Sequence, residues 1–133
     1  MAQITGIGGV FIFANDPKML ADWYTQYLGI HFQADEGVDG VFMLFYYRDV
    51  ANPTIRFDTT FAILPARKHL GSERGECMIN YRVDDLDVFV AGLRAANIAT
   101  EDIKVLRDEE GYGKFTRLVD PEGNRIELYQ PIR

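Results

Sequence analysis

Residues 118–130 read Leu-Val-Asp-Pro-Glu-Gly-Asn-Arg-Ile-Glu-Leu-Tyr-Gln, and this pattern predicts two antiparallel strands joined by a tight turn. Asp and Pro favour the start of a turn, and Gly and Asn tolerate the positive φ that closes it. In the second strand, Ile126 and Leu128 alternate with Glu127 and Tyr129, which gives one apolar face and one polar face. A carboxylate within a sheet is costly unless it is hydrogen-bonded, paired or metal-bound. Glu127 is therefore a candidate functional residue, or else a solvent-facing or structurally paired one.

The composition indicates a globular protein. The chain has 133 residues, 47% of them hydrophobic and 26% charged, which fits one compact domain. No stretch approaches the roughly 18 apolar residues of a membrane span, and no secretory leader is evident, so we expect a cytoplasmic protein. Its single cysteine excludes an intramolecular disulfide and a cysteine-rich zinc site. The net charge of -6 argues against nucleic acid or an anionic membrane as the main partner.

The first half of the chain is predicted to fold as a strand, a helix and three further strands. Residues 4–14 are rich in β-branched and aromatic side chains and are apolar on both faces. Asn15-Asp16-Pro17 supplies a helix cap, and the apolar stripe that follows indicates a helix ending at Gly29. The remaining strands are predicted at residues 30–34, 41–48 and 59–64.

The same order recurs after residues 66–75, a polar segment that we interpret as a linker. A strand at 77–83 is followed by the capping pair Asp84-Asp85, a second helical stripe, and strands at 103–106, 114–119 and 125–130. Aligning Asp16 with Asp85 places Leu20 on Phe89 at the same separation of 69 residues. The economical interpretation is an internal duplication of a β-α-β-β-β unit. We predict an α+β fold, a single domain over residues 1–133 made of modules 1–65 and 76–133.

Two curved mixed sheets with their helices outside would line a shared cleft, and function is expected there. Strand alternation assigns apolar, thioether and a few polar side chains to the cleft faces: Gly9, Phe11 and Phe13 on the first strand, Met78, Asn80 and Arg82 on the fifth, and Glu127 and Tyr129 on the last. Such a wall suits a flat, partly apolar organic ligand held by one or two hydrogen bonds. Alternatively, these side chains fill the space between the sheets.

The sequence resembles the vicinal oxygen chelate superfamily, which includes glyoxalase I, bleomycin resistance proteins, extradiol dioxygenases and fosfomycin resistance enzymes. The resemblance covers essentially the whole chain. It rests on Gly8-Gly9-Val10-Phe11-Ile12 before Asn15-Asp16-Pro17, on residues 24–29, on Asn80-Tyr81-Arg82-Val83-Asp84-Asp85-Leu86, and on residues 120–128. It implies the duplicated fold but leaves the chemistry open, because this fold hosts isomerases, dioxygenases, transferases and non-catalytic drug binders.

Metal-dependent members of this superfamily usually carry a His or Gln in the first strand of each half and a Glu in the last strand. By resemblance, those positions hold Gly9, Met78 and Glu127 here, and the counterpart of Glu127 in the first half is Phe61 or Ala62. One carboxylate does not replace the two imidazoles and one carboxylate of a non-haem iron site. We therefore expect no divalent metal and no other cofactor.

The resulting hypothesis is a small-molecule-binding protein that sequesters its ligand or acts on it by acid-base chemistry; whether it is an enzyme stays open. Glu127 is the candidate general base. The candidate ligand-binding residues are Phe11, Phe13, Phe61, Met78, Asn80, Arg82, Tyr112 and Tyr129. The alternatives are a metal-dependent lyase, isomerase or dioxygenase with an atypical ligand set, and a scaffold without a ligand.

Two further expectations concern a loop and the assembly. Residues 107–113 contain three acidic residues and two glycines, and we predict a mobile loop from which Tyr112 folds over a ligand, or else an ordinary exposed hairpin loop. A homodimer is expected, since paired modules are common in this superfamily and a two-fold dimer is the commonest closed assembly.

Overall fold

The computed structural model describes residues 7, 9–36, 39–71, 77–108 and 111–132, and their side chains except at 106–112 and 131–132. This part of the chain contains two helices and seven strands. In chain order they are β1 (Gly9–Ala14), α1 (Pro17–Leu28), β2 (Val41–Arg48), β3 (Arg56–Pro65), β4 (Met78–Arg82), α2 (Leu86–Ala95), β5 (Lys104–Asp108), β6 (Gly111–Val119) and β7 (Arg125–Ile132). The chain divides into two compact units, Met1–Leu70 and Gly71–Arg133, with the boundary inside the predicted linker. Among the described residues, no helix has the length and apolar character needed to cross a membrane.

The first unit is a three-stranded sheet in the order β1-β3-β2 with helix α1 packed on it. Strand β1 pairs with β3 in parallel, and β2 pairs with β3 antiparallel. The helix begins as predicted, because the side chain of Asp16 accepts a hydrogen bond from the backbone N–H of Met19 at 3.1 Å. It ends at Gly29, whose φ of 71° is the left-handed conformation that glycine adopts readily. The ring of Tyr24 on α1 lies edge-on to that of Phe61 on β3, with centroids 5.9 Å apart.

The predicted strand at residues 30–34 is reduced to one bridge, in which Gln33 and Phe42 exchange backbone hydrogen bonds of 2.8 and 3.0 Å. The start of this segment is instead held at the end of α1. The hydroxyl of Thr25 donates to the carbonyl oxygen of Ile30 at 2.8 Å, and the N–H of Ile30 donates to the carbonyl oxygen of Tyr24 at 3.3 Å. These bonds occupy backbone groups that a strand would need for pairing, so the prediction was wrong in extent.

The second unit is a four-stranded sheet in the order β4-β7-β6-β5, with β4 and β7 parallel and the other pairs antiparallel. Helix α2 begins after Asp85, whose side chain accepts from the N–H of Val88 at 3.1 Å. The core of this unit consists of buried aliphatic side chains from α2, β6 and β7: Leu86, Val90, Leu93, Leu118, Ile126 and Leu128. Burial of this apolar face stabilises the unit through the hydrophobic effect.

The turn between β6 and β7 has the structure that its sequence predicts. Oδ1 of Asp120 accepts from the backbone N–H groups of Glu122 and Asn124, both at 2.9 Å, and Oδ2 accepts from Nδ2 of Asn124 at 2.7 Å. Gly123 has a φ of 91°, which an L residue rarely adopts. The side chain of Asp120 is buried by these contacts, so this turn is fixed by hydrogen bonds and not by composition alone.

The two units share one strand order and one register. In the first unit, Ala62 lies between Phe11 and Phe42, and in the second Glu127 lies between Asn80 and Arg117. Ala62 is therefore the counterpart of Glu127. The predicted α+β fold with two β-α-β-β-β-like modules, each forming a mixed sheet, is confirmed. A cleft shared by the two sheets stays a prediction.

The predicted loop at residues 107–113 is largely paired strand. Arg107 pairs with Tyr112 and Asp108 with Gly111, so β5 and β6 extend to residues 108 and 111. Because backbone groups make the ladder hydrogen bonds, charged side chains near the end of a hairpin do not prevent pairing. Residues 109–110 and the side chain of Tyr112 lie outside the described part, and so does the predicted lid contact of Tyr112.

Candidate functional site

The candidate site lies on the face of the second sheet opposite to α2. The N–H of Leu86 on α2 donates to Oε1 of Gln130 at 2.7 Å, and Asp87 on α2 forms an ion pair with Lys114. Gln130 and Lys114 therefore point to the helix side of the sheet, and the residues that alternate with them point to the other side. We call this second side the open face.

Strand register arranges nine residues of the open face in three rows across β4, β7 and β6. The first row is Met78, Arg125 and Val119; the second is Asn80, Glu127 and Arg117; the third is Arg82, Tyr129 and Phe115. The predicted candidates of the second half, Tyr112 apart, therefore lie together on one surface. Rows of this kind arise because residues that are directly opposite on paired strands share a face.

Glu127 is the centre of a hydrogen-bonded row. Its Oε1 accepts from Nδ2 of Asn80 at 2.8 Å, and its Oε2 accepts from Nε of Arg117 at 3.0 Å. The Glu127 side chain is 15% exposed, whereas that of Arg117 is 52% exposed. The carboxylate thus has the partners that a partly buried charge needs. Both carboxylate oxygens of Glu127, the candidate general base, therefore already accept a hydrogen bond.

The third row is aromatic at its centre. The rings of Phe115 and Tyr129 are stacked, with centroids 4.8 Å apart and planes inclined by 20°. The Tyr129 ring also lies over Gly113, since a Cβ atom placed on that glycine would be 2.4 Å from Cε1 of Tyr129. Because Gly113 has no side chain, the stacked rings of Phe115 and Tyr129 have room on the open face.

A groove of about 630 Å³ opens beside the first two rows. One wall consists of strand residues, including Met78, Arg117, Val119 and Arg125, and the other is the segment 98–101 that follows α2. The lining combines apolar groups with two guanidinium groups and the carboxylate-bearing residue Glu101. This size and this mixture of groups are typical of sites for small organic molecules.

The second wall of the groove is fixed to the sheet by hydrogen bonds. The backbone N–H of Glu101 donates to the carbonyl oxygen of Arg117 at 2.9 Å, and Oγ1 of Thr116 donates to the carbonyl oxygen of Glu101 at 2.7 Å. Nε of Arg94 donates to Oγ1 of Thr100 at 3.1 Å. A wall held in this way is formed before any ligand arrives, which lowers the entropic cost of binding.

Candidates in the first unit divide between the two faces of its sheet. Phe11 and Phe13 are 53% and 48% exposed and lie on the face opposite to α1. Their role in ligand binding stays a prediction. Phe61 is 3% exposed and packs against Tyr24 of α1, so it belongs to the core instead. The sequence alone does not show on which face of the sheet Phe61 lies, because it does not give the register between β1 and β3. In the structure Phe61 pairs with Val10, which lies on the helix side of the sheet.

The residues at the positions of the metal ligands do not fit a metal ion. In the described part of the chain, no three His, Cys, Asp or Glu side chains are grouped so as to hold one. The carboxylate of Glu127 is engaged by an amide and a guanidinium. At Gly9, an added Cβ would lie 3.0 Å from the carbonyl oxygen of Thr60 and 3.1 Å from Cε2 of Phe11, so a ligating side chain there would displace its neighbours.

Sequence reasoning missed Arg117, Arg125 and the segment 98–101. Arg117 carries a signal in the turn itself, because a hairpin centred on Glu122 places it opposite Glu127; Arg125 lies opposite Val119 and carries no such signal. Opposite charges facing each other across paired strands stabilise a hairpin and are a recognisable pattern. The segment 98–101 has no comparable signal, since its place beside β6 is a long-range contact.

The whole chain is similar to one protein family. The model of the Glyoxalase/Bleomycin resistance protein/Dioxygenase superfamily matches residues 6–128, which include most of both units. No curated protein matches the chain in sequence.

Several solved structures share its fold. A putative glyoxalase family protein from Bacillus anthracis superposes with a TM-score of 0.69 at 17% identity, covering 99% of each chain. TnmS3, an antibiotic binding protein from Streptomyces sp. CB03234, gives 0.65 at 23% identity, covering 99% of this chain and 100% of its own. Lactoylglutathione lyase from Agrobacterium tumefaciens gives 0.60 at 15% identity over 96% and 95% of the two chains. At these identities the likeness establishes the fold alone.

Proposed function

We propose that this chain, which belongs to the glyoxalase/bleomycin resistance protein/dioxygenase superfamily, binds a flat, partly apolar organic molecule in the groove of its second unit. The observation that carries the proposal is the groove itself, about 630 Å³ with a hydrogen-bonded wall. Ligand pockets for drug-sized molecules span roughly 300–1,000 Å³. The groove thus has the capacity for an organic molecule of several rings.

The chemistry of the lining supports an aromatic or otherwise planar ligand. Met78 and Val119 offer apolar contact on the strand side, and a thioether adapts well to flat surfaces. Next to the groove, the stacked rings of Phe115 and Tyr129 extend this surface toward Arg82. Phe11 and Phe13, which expose about half of their surface, stay predicted ligand-binding residues of the first unit.

Binding is favoured over acid-base catalysis by the state of Glu127. A general base needs an oxygen within reach of the proton that it removes, and here each oxygen is already directed at Asn80 or Arg117. The description of one structural relative as an antibiotic binding protein supports the same choice of binding over reaction. We therefore assign Glu127 to the organisation of the site.

A fluorescence titration with N-phenyl-1-naphthylamine, a neutral aromatic probe, tests the proposal. We expect saturable binding, and we expect Val119→Trp to weaken it by about tenfold or more, because the larger ring fills the groove; a tenfold loss corresponds to about 1.4 kcal/mol. The matched control is Val105→Trp. Val105 is a strand valine of the same sheet with 58% exposure against 56% for Val119, and it pairs with Lys114 on the helix side.

The control should bind the probe like the unsubstituted protein, and both variants should melt within a few degrees of it. Equal weakening in both variants would mean that the probe senses added surface aromatics and not the groove. Absence of saturable binding to the unsubstituted chain would refute the proposed function.

A further inference from the structure

We infer that Arg117 is the anchor for an anionic group with two adjacent acceptor oxygens on the ligand, a carboxylate or sulfonate, and that Glu127 is a positioning residue for this arginine. The inference rests on the proposed function, because it takes the groove to be the binding site. In this inference the row of Asn80, Glu127 and Arg117 serves to bind an anionic group and not to transfer a proton.

The hydrogen bonds of Arg117 leave one side of its guanidinium for a ligand. A guanidinium carries five N–H donors. Arg117 uses one of them, the N–H at Nε, in its hydrogen bond to Glu127. The terminal nitrogens supply the other four donors. Because the Arg117 side chain is 52% exposed and lines the groove, these donors are accessible to a molecule bound there.

Glu127 fixes the direction of the guanidinium. Its Oε2 lies 3.0 Å from Nε, and its Oε1 is itself held by Asn80 at 2.8 Å, so the carboxylate cannot rotate without breaking a second hydrogen bond. A planar guanidinium held at Nε presents its terminal N–H groups as a fork, the geometry that matches two oxygens of one anionic group. The side chain of a lysine would not provide this fork.

The rest of the groove matches a molecule with an apolar body and an acidic end. Met78 and Val119 flank Arg125 in the first row, so a second guanidinium lies one row from Arg117 with apolar groups on both sides of it. Glu101 lies on the opposite wall and disfavours a second acidic group on the ligand.

Two fluorescent probes that differ in one group test this assignment. 1-Anilinonaphthalene-8-sulfonate carries a planar aromatic body and a sulfonate, and N-phenyl-1-naphthylamine is its neutral analogue. We expect the sulfonate probe to bind at least about tenfold more tightly, and we expect Arg117→Met to remove this preference while leaving the affinity for the neutral probe within about twofold. Arg117→Lys should keep part of the preference, because the charge remains but the fork is lost.

Lys104→Met is the charge-matched control, since it removes one positive charge from an exposed residue of the same sheet that does not line the groove. It should leave the preference unchanged.

Glu127→Gln provides an independent readout. A glutamine oxygen still accepts from Nε of Arg117 and the amide of Asn80 can rotate to pair with the new amide, so the guanidinium stays in place while a negative charge is removed. Glu127→Ala removes the same charge and also the acceptor for Nε of Arg117. The preference for the sulfonate probe should therefore be at least about threefold lower in Glu127→Ala than in Glu127→Gln, and the two variants should have equal preferences in the Arg117→Met background.

The outcomes separate the inference from the proposed function. A sulfonate preference that survives Arg117→Met, or that falls equally in Lys104→Met, overturns the role of Arg117 while leaving the groove as a binding site. Equal preferences of Glu127→Ala and Glu127→Gln for the sulfonate probe overturn the positioning role of Glu127. Failure of both probes to bind saturably overturns the proposed function together with the inference.

Discussion

Single residues decide the shape of the open face, and Gly113 is the most sensitive of them. A Cβ atom there would lie 2.4 Å from Cε1 of Tyr129 and 3.1 Å from the carbonyl oxygen of Gln130. Gly113→Ala should therefore push the Tyr129 ring away from Phe115. We expect a loss of about 1 kcal/mol in the free energy of unfolding, the usual worth of an aromatic pair, measured by urea denaturation, with a changed near-ultraviolet circular dichroism spectrum.

Gly92→Ala is the control for this glycine. Gly92 lies in helix α2, and an added Cβ would meet nothing within 4 Å. Because glycine is unfavourable in a helix interior, the substitution should stabilise the protein by roughly 0.5–1 kcal/mol. If Gly113→Ala proved as stable as the unsubstituted chain with an unaltered tyrosine spectrum, the packing of Tyr129 over residue 113 would be disproved.

Among the elements, the turn between β6 and β7 connects the fold to the site. Asp120 accepts three hydrogen bonds within the turn and is buried, so Asp120→Ala leaves three partly buried donors without this acceptor. We expect a loss of about 2–3 kcal/mol in the free energy of unfolding, the range for hydrogen bonds to a charged group. Since Val119 and Arg125 flank this turn and line the groove, binding of N-phenyl-1-naphthylamine should weaken as well.

Asp102→Ala serves as the comparison for the turn variant. Asp102 is fully exposed, and its contact is an ion pair with Arg94 at 3.7 Å. Exposed ion pairs contribute little to stability, so this variant should unfold like the unsubstituted chain. Equal stability of the Asp120 and Asp102 variants would show that the turn does not depend on its side-chain hydrogen bonds.

Local signals in the sequence predicted most elements and part of the site. Asp16 and Asp85 cap the two helices as expected, and the turn at Asp120 forms as predicted, because capping and turn formation depend on residues a few positions apart. The strand at 30–34 failed because backbone bonds to the end of α1 compete with pairing. Asn80 and Glu127 were found by alternation, whereas Arg117 required the register of β6 on β7. The turn centred on Glu122 sets that register locally. The register of β1 on β3 and the place of segment 98–101 depend on residues far apart in the chain, which short sequence patterns do not encode.

At the level of the whole molecule, we predict a homodimer in solution. The exposed aromatic side chains on the face of the first sheet opposite to α1, including Phe11, Phe13 and Tyr46, provide apolar surface for association. A two-fold pair is the commonest closed assembly of soluble chains. Size-exclusion chromatography with light scattering at micromolar concentration should give twice the 15.2 kDa of one chain. A measured mass of one chain at that concentration would refute the dimer.

The equivalent rows of the two sheets constrain how this protein can evolve. Phe11, Ala62 and Phe42 occupy in the first sheet the register positions that Asn80, Glu127 and Arg117 occupy in the second. Ala62 is 3% exposed, so a lone glutamate at that position would be a buried charge without partners, which costs several kcal/mol. A glutamate at position 62 is therefore tolerable only after one or both of its neighbours have become hydrogen-bond donors, so the order of substitutions decides whether the first sheet can acquire the polar row of the second.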